Sequence, residues 1–290
     1  MSPATAEKIE EFRRQLKQDW TRDETVGAWR KWHKQIAEFT RGATEALLAA
    51  ANLEPGQRVL DLASGVGDPA LRIAQIVGPT GHVIATDLGP GMMSLAAELA
   101  EKQNLRNIEF REAAAESLPF PDASFDVVTC RFGAMFFPDL QKALRECRRV
   151  LKPGGKVVFL VWGIREQPFA STTVGVLLKY VTLPEPDPDA PSMFMFGVRG
   201  RFASALNDSG YHAIREDHIS VPARWPGPVE EYWTQFTEVS RPFRPLLDQL
   251  SPDKLAEARA EVIAGLRANY VSDGQVAMRL EIVLVSAMRS

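Results

Sequence analysis

Apolar residues recur at helical spacing through the first fifty positions. Ile9, Phe12, Leu16 and Trp20 share one face of a helix predicted over 5–20. Trp29, Trp32, Ile36, Phe39, Ala43 and Leu47 give an aromatic-rich stripe to a longer helical stretch over 23–51. The turn from Asn52 to Gln57, carrying Pro55-Gly56, stops it. The rhythm then changes to short, continuous apolar runs, the pattern of strands covered on both faces. These runs are Arg58 to Leu62, Gly81 to Asp87, Asn107 to Arg111, Phe125 to Cys130 and Lys156 to Trp162. Helical segments lie between them. One is opened by Asp68 as N-cap, with Pro69 at the first helical position; another runs from Pro90-Gly91 to about 103. A third, amphipathic helix runs from Asp139 to Leu151 and ends at Lys152-Pro153-Gly154-Gly155.

Beyond 163 the pattern loosens. Leu183 to Pro191 carries four prolines among acids and reads as an extended loop. Gly200 to Ser209 reads as a short helix, Tyr211 to Val221 as a sixth strand, and 228–270 as three helical pieces. Ser251-Pro252 marks a capped start, with Leu255, Val262 and Leu266 near the apolar face. Met278 to Val285 closes the chain as a seventh strand. Strands alternating with helices at this pitch predict an α/β fold: a doubly wound, mostly parallel seven-stranded sheet with N-terminal helices and a helical cap. The expected segments are an N-terminal helical lid (1–52), a nucleotide-binding core (53–163), a cap or substrate region (164–275) with a returning strand near 211–221, and a final core strand (276–290).

Composition narrows the function classes. The chain has 290 residues, 45% apolar and 24% charged, with a net charge of −3. A nucleic-acid or anionic-membrane binder would show a basic excess, so neither partner is expected. No apolar run approaches the roughly 20 residues that span a bilayer, and the charged opening does not read as a signal peptide. A cytoplasmic protein is expected, with a homodimer left open. Cys130 and Cys147 read as two reduced, buried thiols, and the four histidines have no metal-like spacing, so no metal is expected.

The first strand and its turn carry the chemistry. Leu60-Asp61-Leu62-Ala63-Ser64-Gly65-Val66-Gly67-Asp68-Pro69-Ala70 contains a Gly-x-Gly-x-x-Ala pattern, and Asp87 ends the next strand. A dinucleotide dehydrogenase has the same parts. A diphosphate, however, wants free N–H groups and a positive helix end, whereas acids flank this turn at Asp61 and Asp68. S-adenosylmethionine (SAM) has no phosphate, and its ammonium and sulfonium are cationic. The glycines let backbone approach a ligand closely, and Asp87 can accept from paired ribose hydroxyls. The pattern leans to methyl transfer.

Val59 to Gly67 resembles motif I of class I SAM-dependent methyltransferases. Glu116-Ser117-Leu118-Pro119-Phe120-Pro121, Ser124-Phe125-Asp126-Val127-Val128 and Arg149-Val150-Leu151-Lys152-Pro153-Gly154-Gly155 resemble later landmarks of the ubiquinone/menaquinone C-methyltransferase-like family. Four landmarks in order, over roughly residues 55–163, imply a Rossmann-like methyltransferase fold with SAM as cofactor and S-adenosylhomocysteine as product. The resemblance implies that Asp61, Ala63, Ser64, Gly65 and Gly67 line the methionine end and that Asp87 holds the ribose. Leu88 and Met92 would lie against adenine, and Ala115 and Glu116 would flank its edge. Arg131 and Phe132 would face the methyl group and the acceptor. Where the family often carries Gly-Asp-Ala, this chain has Ala113-Ala114-Ala115, so the usual adenine contact is missing or supplied by another group.

Methyl transfer needs no nucleophilic side chain, and none is arrayed here. His33 is the candidate general base, against a reading as an ordinary helix residue. Trp29, with Trp32, is either core or a substrate wall, and Arg131 pairs with either an acidic acceptor or a structural partner. Met193-Phe194-Met195-Phe196-Gly197 is a wall over substrate, core packing or a dimer contact. The expected function is methyl transfer from SAM to a small-molecule acceptor, an aromatic or quinol-like carbon or oxygen. A SAM-binding regulator or scaffold without transfer activity, and a nicotinamide oxidoreductase, stay as alternatives.

Overall fold

The computed structural model describes residues 3–181 and 191–290. Of the proline-rich stretch expected to be a loop, 183–190 lies outside the described residues. The chain opens with α1 (Pro3–Thr21), α2 (Asp23–Phe39) and α3 (Arg41–Ala51). Two helices thus stand where one was expected over 23–51. Thr40 breaks the run at φ −98°, ψ 10°, and its hydroxyl donates back to the Ile36 carbonyl at 2.8 Å. Such local bonding offers the backbone an alternative to continuing the helix.

Strands and helices then alternate as the apolar runs predicted: β1 (Arg58–Leu62), α4 (Ala70–Val77), β2 (His82–Asp87), α5 (Pro90–Lys102), β3 (Ile108–Glu112), β4 (Phe125–Arg131), α6 (Leu140–Val150) and β5 (Leu151–Trp162). The remainder comprises α7 (Pro168–Thr172), α8 (Val174–Leu177), α9 (Arg201–Asp208), β6 (Tyr211–Arg224), α10 (Val229–Val239), α11 (Arg244–Leu247), α12 (Pro252–Asn269), β7 (Val271–Ser272) and β8 (Gln275–Arg289). The strand order is β3-β2-β1-β4-β5-β8-β6. The first five run parallel, and β8 is antiparallel to both β5 and β6. A short hairpin between β7 and β8 adds an eighth strand to the seven expected.

Continuous apolar runs become the sheet centre because helices cover both faces. Leu60, Val128 and Val158 are fully buried on β1, β4 and β5, and each such side chain contributes about 1.5–3 kcal/mol of burial free energy. The edge strands β3 and β6 keep exposed positions. One face is closed by α3 against β5, β6 and β8, and α10 packs on both α2 and α12. Ser251 caps α12 as its sequence suggested, accepting from the Lys254 N–H at 3.4 Å.

Asp68 does not cap the helix after β1. That helix starts at Ala70 with no side-chain cap, and the Asp68 carboxylate pairs with the Arg131 guanidinium at 3.1 Å. A charge-assisted bond to a largely buried guanidinium outweighs a bond to a peptide N–H.

Gln167 ties the segment after β5 to the last strand. Its amide donates to Ile164 O at 2.7 Å and Glu281 O at 3.3 Å, and its Oε1 accepts from the Glu281 N–H at 3.1 Å. The side chain is buried, so Gln167→Leu strands backbone groups away from water. We expect a loss of about 2–4 kcal/mol in urea unfolding, since each unpaired buried group costs about 1–3 kcal/mol; an unchanged midpoint would show that the amide is dispensable.

Candidate active site

The strand order reverses between β1 and β4, because the chain crosses from the β3 edge back over β1. Ligands of open α/β sheets bind outside the carboxyl ends of strands at such a switch point. A cavity of about 270 Å³ lies there. The turn Ala63–Val66 after β1, Asp87 and Leu88 after β2, and Arg131–Gly133 after β4 line it. Leu16 and Trp20 of α1, Trp29, Ile36 and Phe39 of α2, and Tyr232, Gln235 and Phe236 of α10 enclose it.

Most of the residues singled out in the sequence meet at this cavity. Trp29, Ala63, Ser64, Gly65, Asp87, Leu88, Met92, Ala115, Glu116, Arg131 and Phe132 all line it. Asp61, Gly67 and His33 do not. Asp61 is fully buried on β1. Gly65, at φ +53°, has open space where a Cβ would stand, as close ligand approach requires. Gly67 serves packing instead: at φ +94° a Cβ there would meet Leu71 Cγ at 3.1 Å and Ala96 Cβ at 3.2 Å. The two glycines of one motif thus have different tasks. Trp29 and Trp32 also divide. Trp29 faces the cavity, whereas buried Trp32 donates to Glu238 Oε2 at 2.6 Å and packs on Trp225. Of the Met193–Gly197 run, Met193 reaches the cavity and Phe196 is buried against Phe202.

His33 is half-buried on α2. Its Nδ1 lies 2.9 Å from the Arg30 carbonyl, which can only accept, so in the neutral ring the proton sits on Nδ1. Nε2 then carries a lone pair, and it is buried without a partner among the described residues.

Electrostatics set the character of the floor. Burial pushes the Asp61 carboxyl up to about 7, while a hydrogen bond from Thr129 and the charge of Arg131 oppose the shift. Thr129 Oγ1 donates to Asp61 Oδ1 at 2.6 Å, and Oδ2 has no partner among the described residues. Burial likewise raises the Asp87 carboxyl, against backbone N–H donors that favour its charge. Gly65 N donates to Asp87 Oδ2 at 2.8 Å and Gly89 N to Oδ1 at 2.9 Å. Arg131 donates to Thr40 at 2.7 Å, Thr44 at 3.2 Å and Asp68 O at 3.0 Å, besides its ion pair with Asp68. The acid at the mouth of the turn is therefore neutralised from within the protein. Unpartnered buried polar atoms gather at the cavity: Ser64 Oγ, Arg131 Nε, Trp29 Nε1 and Tyr232 OH belong to lining residues. Native interiors leave few such atoms, so a cluster around one cavity points to a ligand.

Beside Phe132, which the sequence marks, the wall contains Trp162, Phe169 and Tyr232. Phe132, at φ +58°, stacks on Trp162 at 4.3 Å, and Trp162 stacks on Phe169 at 5.1 Å. Gly133 lets this loop meet the turn after β1, since a Cβ there would fall 2.4 Å from Ala63 Cβ. Nothing local marked Trp162, Phe169 or Tyr232 as cavity residues, because apolar side chains in core and in pocket walls follow the same periodicity.

Comparison with known proteins agrees with the geometry. Residues 27–184 match the model of the ubiE/COQ5 methyltransferase family. A ubiquinone/menaquinone biosynthesis C-methyltransferase from Ectopseudomonas mendocina is 45% identical over 111 residues, covering 38% of this chain and 43% of the relative. One from Shewanella halifaxensis is 33% identical over 199 residues, covering 65% and 76%. The chain spans about half the length of most of the curated relatives it matches, which carry the same name. Among solved structures, the YcgJ protein from Bacillus subtilis has a TM-score of 0.56 at 22% identity, covering 86% of this chain and 98% of that one. Phosphoethanolamine N-methyltransferase 2 from Haemonchus contortus, solved with S-adenosyl-L-methionine, has a TM-score of 0.51 at 18% identity, covering 89% and 52%. These likenesses show the fold.

The Asp61 shift makes stability depend on pH. Its folded value, about 7, lies above the roughly 3.9 of an unfolded aspartate, so the folded state holds more protons between them. Stability of the ligand-free protein must then fall as pH rises through that window. Asp61→Asn, which keeps an acceptor for Thr129, should remove about 2–4 kcal/mol of the decline between pH 4 and pH 8. Parallel urea curves at the two pH values check this; an identical decline in both proteins would reject the shift.

Proposed function

Because this chain belongs to the ubiE/COQ5 methyltransferase family, we propose that it transfers a methyl group from S-adenosylmethionine to a small-molecule acceptor, at an aromatic or quinol-like carbon or oxygen. The observation that carries this reading is the unpartnered Oδ2 of buried Asp61, close to a turn that faces open space at Gly65. A cationic ammonium suits that floor and a diphosphate does not. Asp61, Ala63, Ser64 and Gly65 would hold the amino-acid end of the cofactor, with Gly67 supporting the turn through its packing on Leu71 and Ala96. Asp87 would accept from the ribose hydroxyls, with Leu88, Met92, Ala115 and Glu116 around the adenine.

Bound there, the cofactor supplies a sulfonium methyl group for in-line displacement. The protein's own part is orientation and exclusion of water. Phe132 and Trp29 would present ring faces near the reacting end, where a cation is favoured by about 0.5–2 kcal/mol. Arg131 is held by Thr40, Thr44 and Asp68, so its role is to fix the wall and to place Phe132. His33, with its free Nε2 lone pair, is the proposed proton acceptor, though it stands one turn beyond Trp29 and off the cavity lining. In this reading α1–α3 act as the lid over the core and 164–275 as the acceptor side. It includes a cytoplasmic location and no nucleic-acid partner, which the net charge of −3 supports, and it is compatible with a homodimer. No helix among the described residues is long and apolar enough to cross a membrane.

Asp87→Ala should weaken SAM binding by about 1–3 kcal/mol in calorimetric titration; unchanged affinity in a folded variant would remove the ribose assignment. His33→Ala should slow turnover while SAM affinity is retained. Normal turnover would exclude it as the base.

A further inference from the structure

The polar groups of the acceptor wall come from a segment that the family match does not reach. Residues 229–239 form α10, whereas the match ends at 184. Tyr232, Gln235 and Phe236 of this helix line the cavity. Tyr232 is 1% exposed, and its hydroxyl has no hydrogen-bond partner among the described residues. Burial drives the phenol well above its ordinary range, with no neighbouring charge contributing. The ring itself is fixed, edge-on to Phe39 at 5.4 Å and to Trp225 at 5.7 Å. An O–H held rigidly with its hydrogen bond unmade is a net cost to the free protein, and a ligand oxygen at the cavity would repay it.

The surrounding surface says what kind of ligand. Phe132, Trp162, Phe169 and Phe236 form a continuous aromatic wall, with successive centroids 4.3, 5.1 and 6.4 Å apart. The charged residues lining the cavity are Asp68, Asp87, Glu116 and Arg131. Each has a partner: Asp68 with Arg131, Asp87 with the Gly65 and Gly89 N–H groups, and Glu116 with the Asp139 N–H at 3.3 Å, while the Nε of Arg131 has none among the described residues. None comes from α10 or the aromatic wall. The cation beside the wall, the Arg131 guanidinium 5.5 Å from the Phe132 ring, is already paired with Asp68, so an acceptor bearing a carboxylate, phosphate or ammonium would be buried there without an unpaired counter-charge, which is strongly disfavoured.

We propose that Tyr232 is the specificity-determining residue of the acceptor site, donating its O–H to an oxygen of an uncharged aromatic acceptor, with the neutral amide of Gln235 beside it. This rests on the methyl-transfer reading and adds to it the polarity of the acceptor and the residue that senses it. Recognition is by one neutral hydrogen bond within a stacking slot. A site built that way rejects the analogue lacking the oxygen, because the phenol is then left unpaired again.

The test uses the full chain saturated with S-adenosylhomocysteine and four probes of one shape: 4-methylphenol, 1,4-dimethylbenzene, which lacks the oxygen, 4-methylbenzoate and 4-methylbenzylamine. By calorimetry or ligand-observed NMR at pH 7.5, 4-methylphenol should bind about tenfold more tightly than the other three. Tyr232→Phe should erase that preference, leaving S-adenosylhomocysteine affinity unchanged and the melting temperature equal or higher. A purely structural tyrosine would instead lower the melting temperature. Gln235→Leu, which leaves the phenol in place, should keep part of the preference. The proposal is overturned if Tyr232→Phe keeps the full preference, if a charged probe binds best, or if no probe binds while S-adenosylhomocysteine does. Failure of S-adenosylhomocysteine itself to bind would count against the methyl-transfer reading.

Discussion

The guanidinium of Arg131 joins three parts of the molecule that are remote in sequence. From the end of β4 it reaches the hydroxyls of Thr40 and Thr44 at the junction of α2 and α3, and both the carbonyl and the carboxylate of Asp68 behind the turn after β1. With 9% of the side chain exposed, it has little water to fall back on. Such a buried pair is weak evidence for stability, because desolvation consumes much of the Coulomb gain. Its value lies in geometry, since satisfying so many directional bonds at once fixes the turn, the helix junction and the following Phe132 relative to one another. The break at Thr40 becomes intelligible in the same terms: it presents a hydroxyl where a straight helix would have continued past the guanidinium.

That tie also sorts the acids of the floor. Asp68 is neutralised by Arg131 and is part of the scaffold. Asp87 is held by backbone N–H groups on two loops, so it keeps the turn after β1 and the loop after β2 in register. Of these three acids, Asp61 alone retains an oxygen with nothing to accept from among the described residues. In an interior of low effective dielectric, an unmatched carboxylate is costly and tends to take up a proton. Asp61 thus sits behind the cavity lining with one oxygen unmatched, and the other acids of the turn are spent internally.

The walls follow a different logic on the two sides. The strand-end loops inside the family match supply backbone groups and acids, which suit a cofactor shared across a family. The opposite side, from β5, α7 and α10, is aromatic and uncharged. Of these elements β5 and α7 fall within the family match and α10 lies beyond its end at residue 184. One fold can hold a constant cofactor against changing chemistry because the strand-end loops and the cap are separate segments of chain.

The alternating α/β pattern, the turn after β1 and the acid ending β2 were legible in the residues alone. Local periodicity fixes which segments are strands and helices, and glycine and acid placement at strand ends is a local signature of backbone approach. Other features depended on side chains far apart in sequence. Asp68 before a proline reads locally as a helix cap, but the distant Arg131 claims its carboxylate. Gly65 and Gly67 look alike in the motif, yet only contact with Leu71 and Ala96 reveals that the second is there for packing. Trp29 and Trp32 share one stripe and separate into cavity wall and core. Tyr232 carried no signal, because a buried aromatic reads as core until its hydroxyl is seen to lack a partner. Sequence determined the elements and the chemistry at their ends; the tertiary structure decided which polar groups are satisfied and which await a ligand, because hydrogen-bond partnership is a property of neighbours in space.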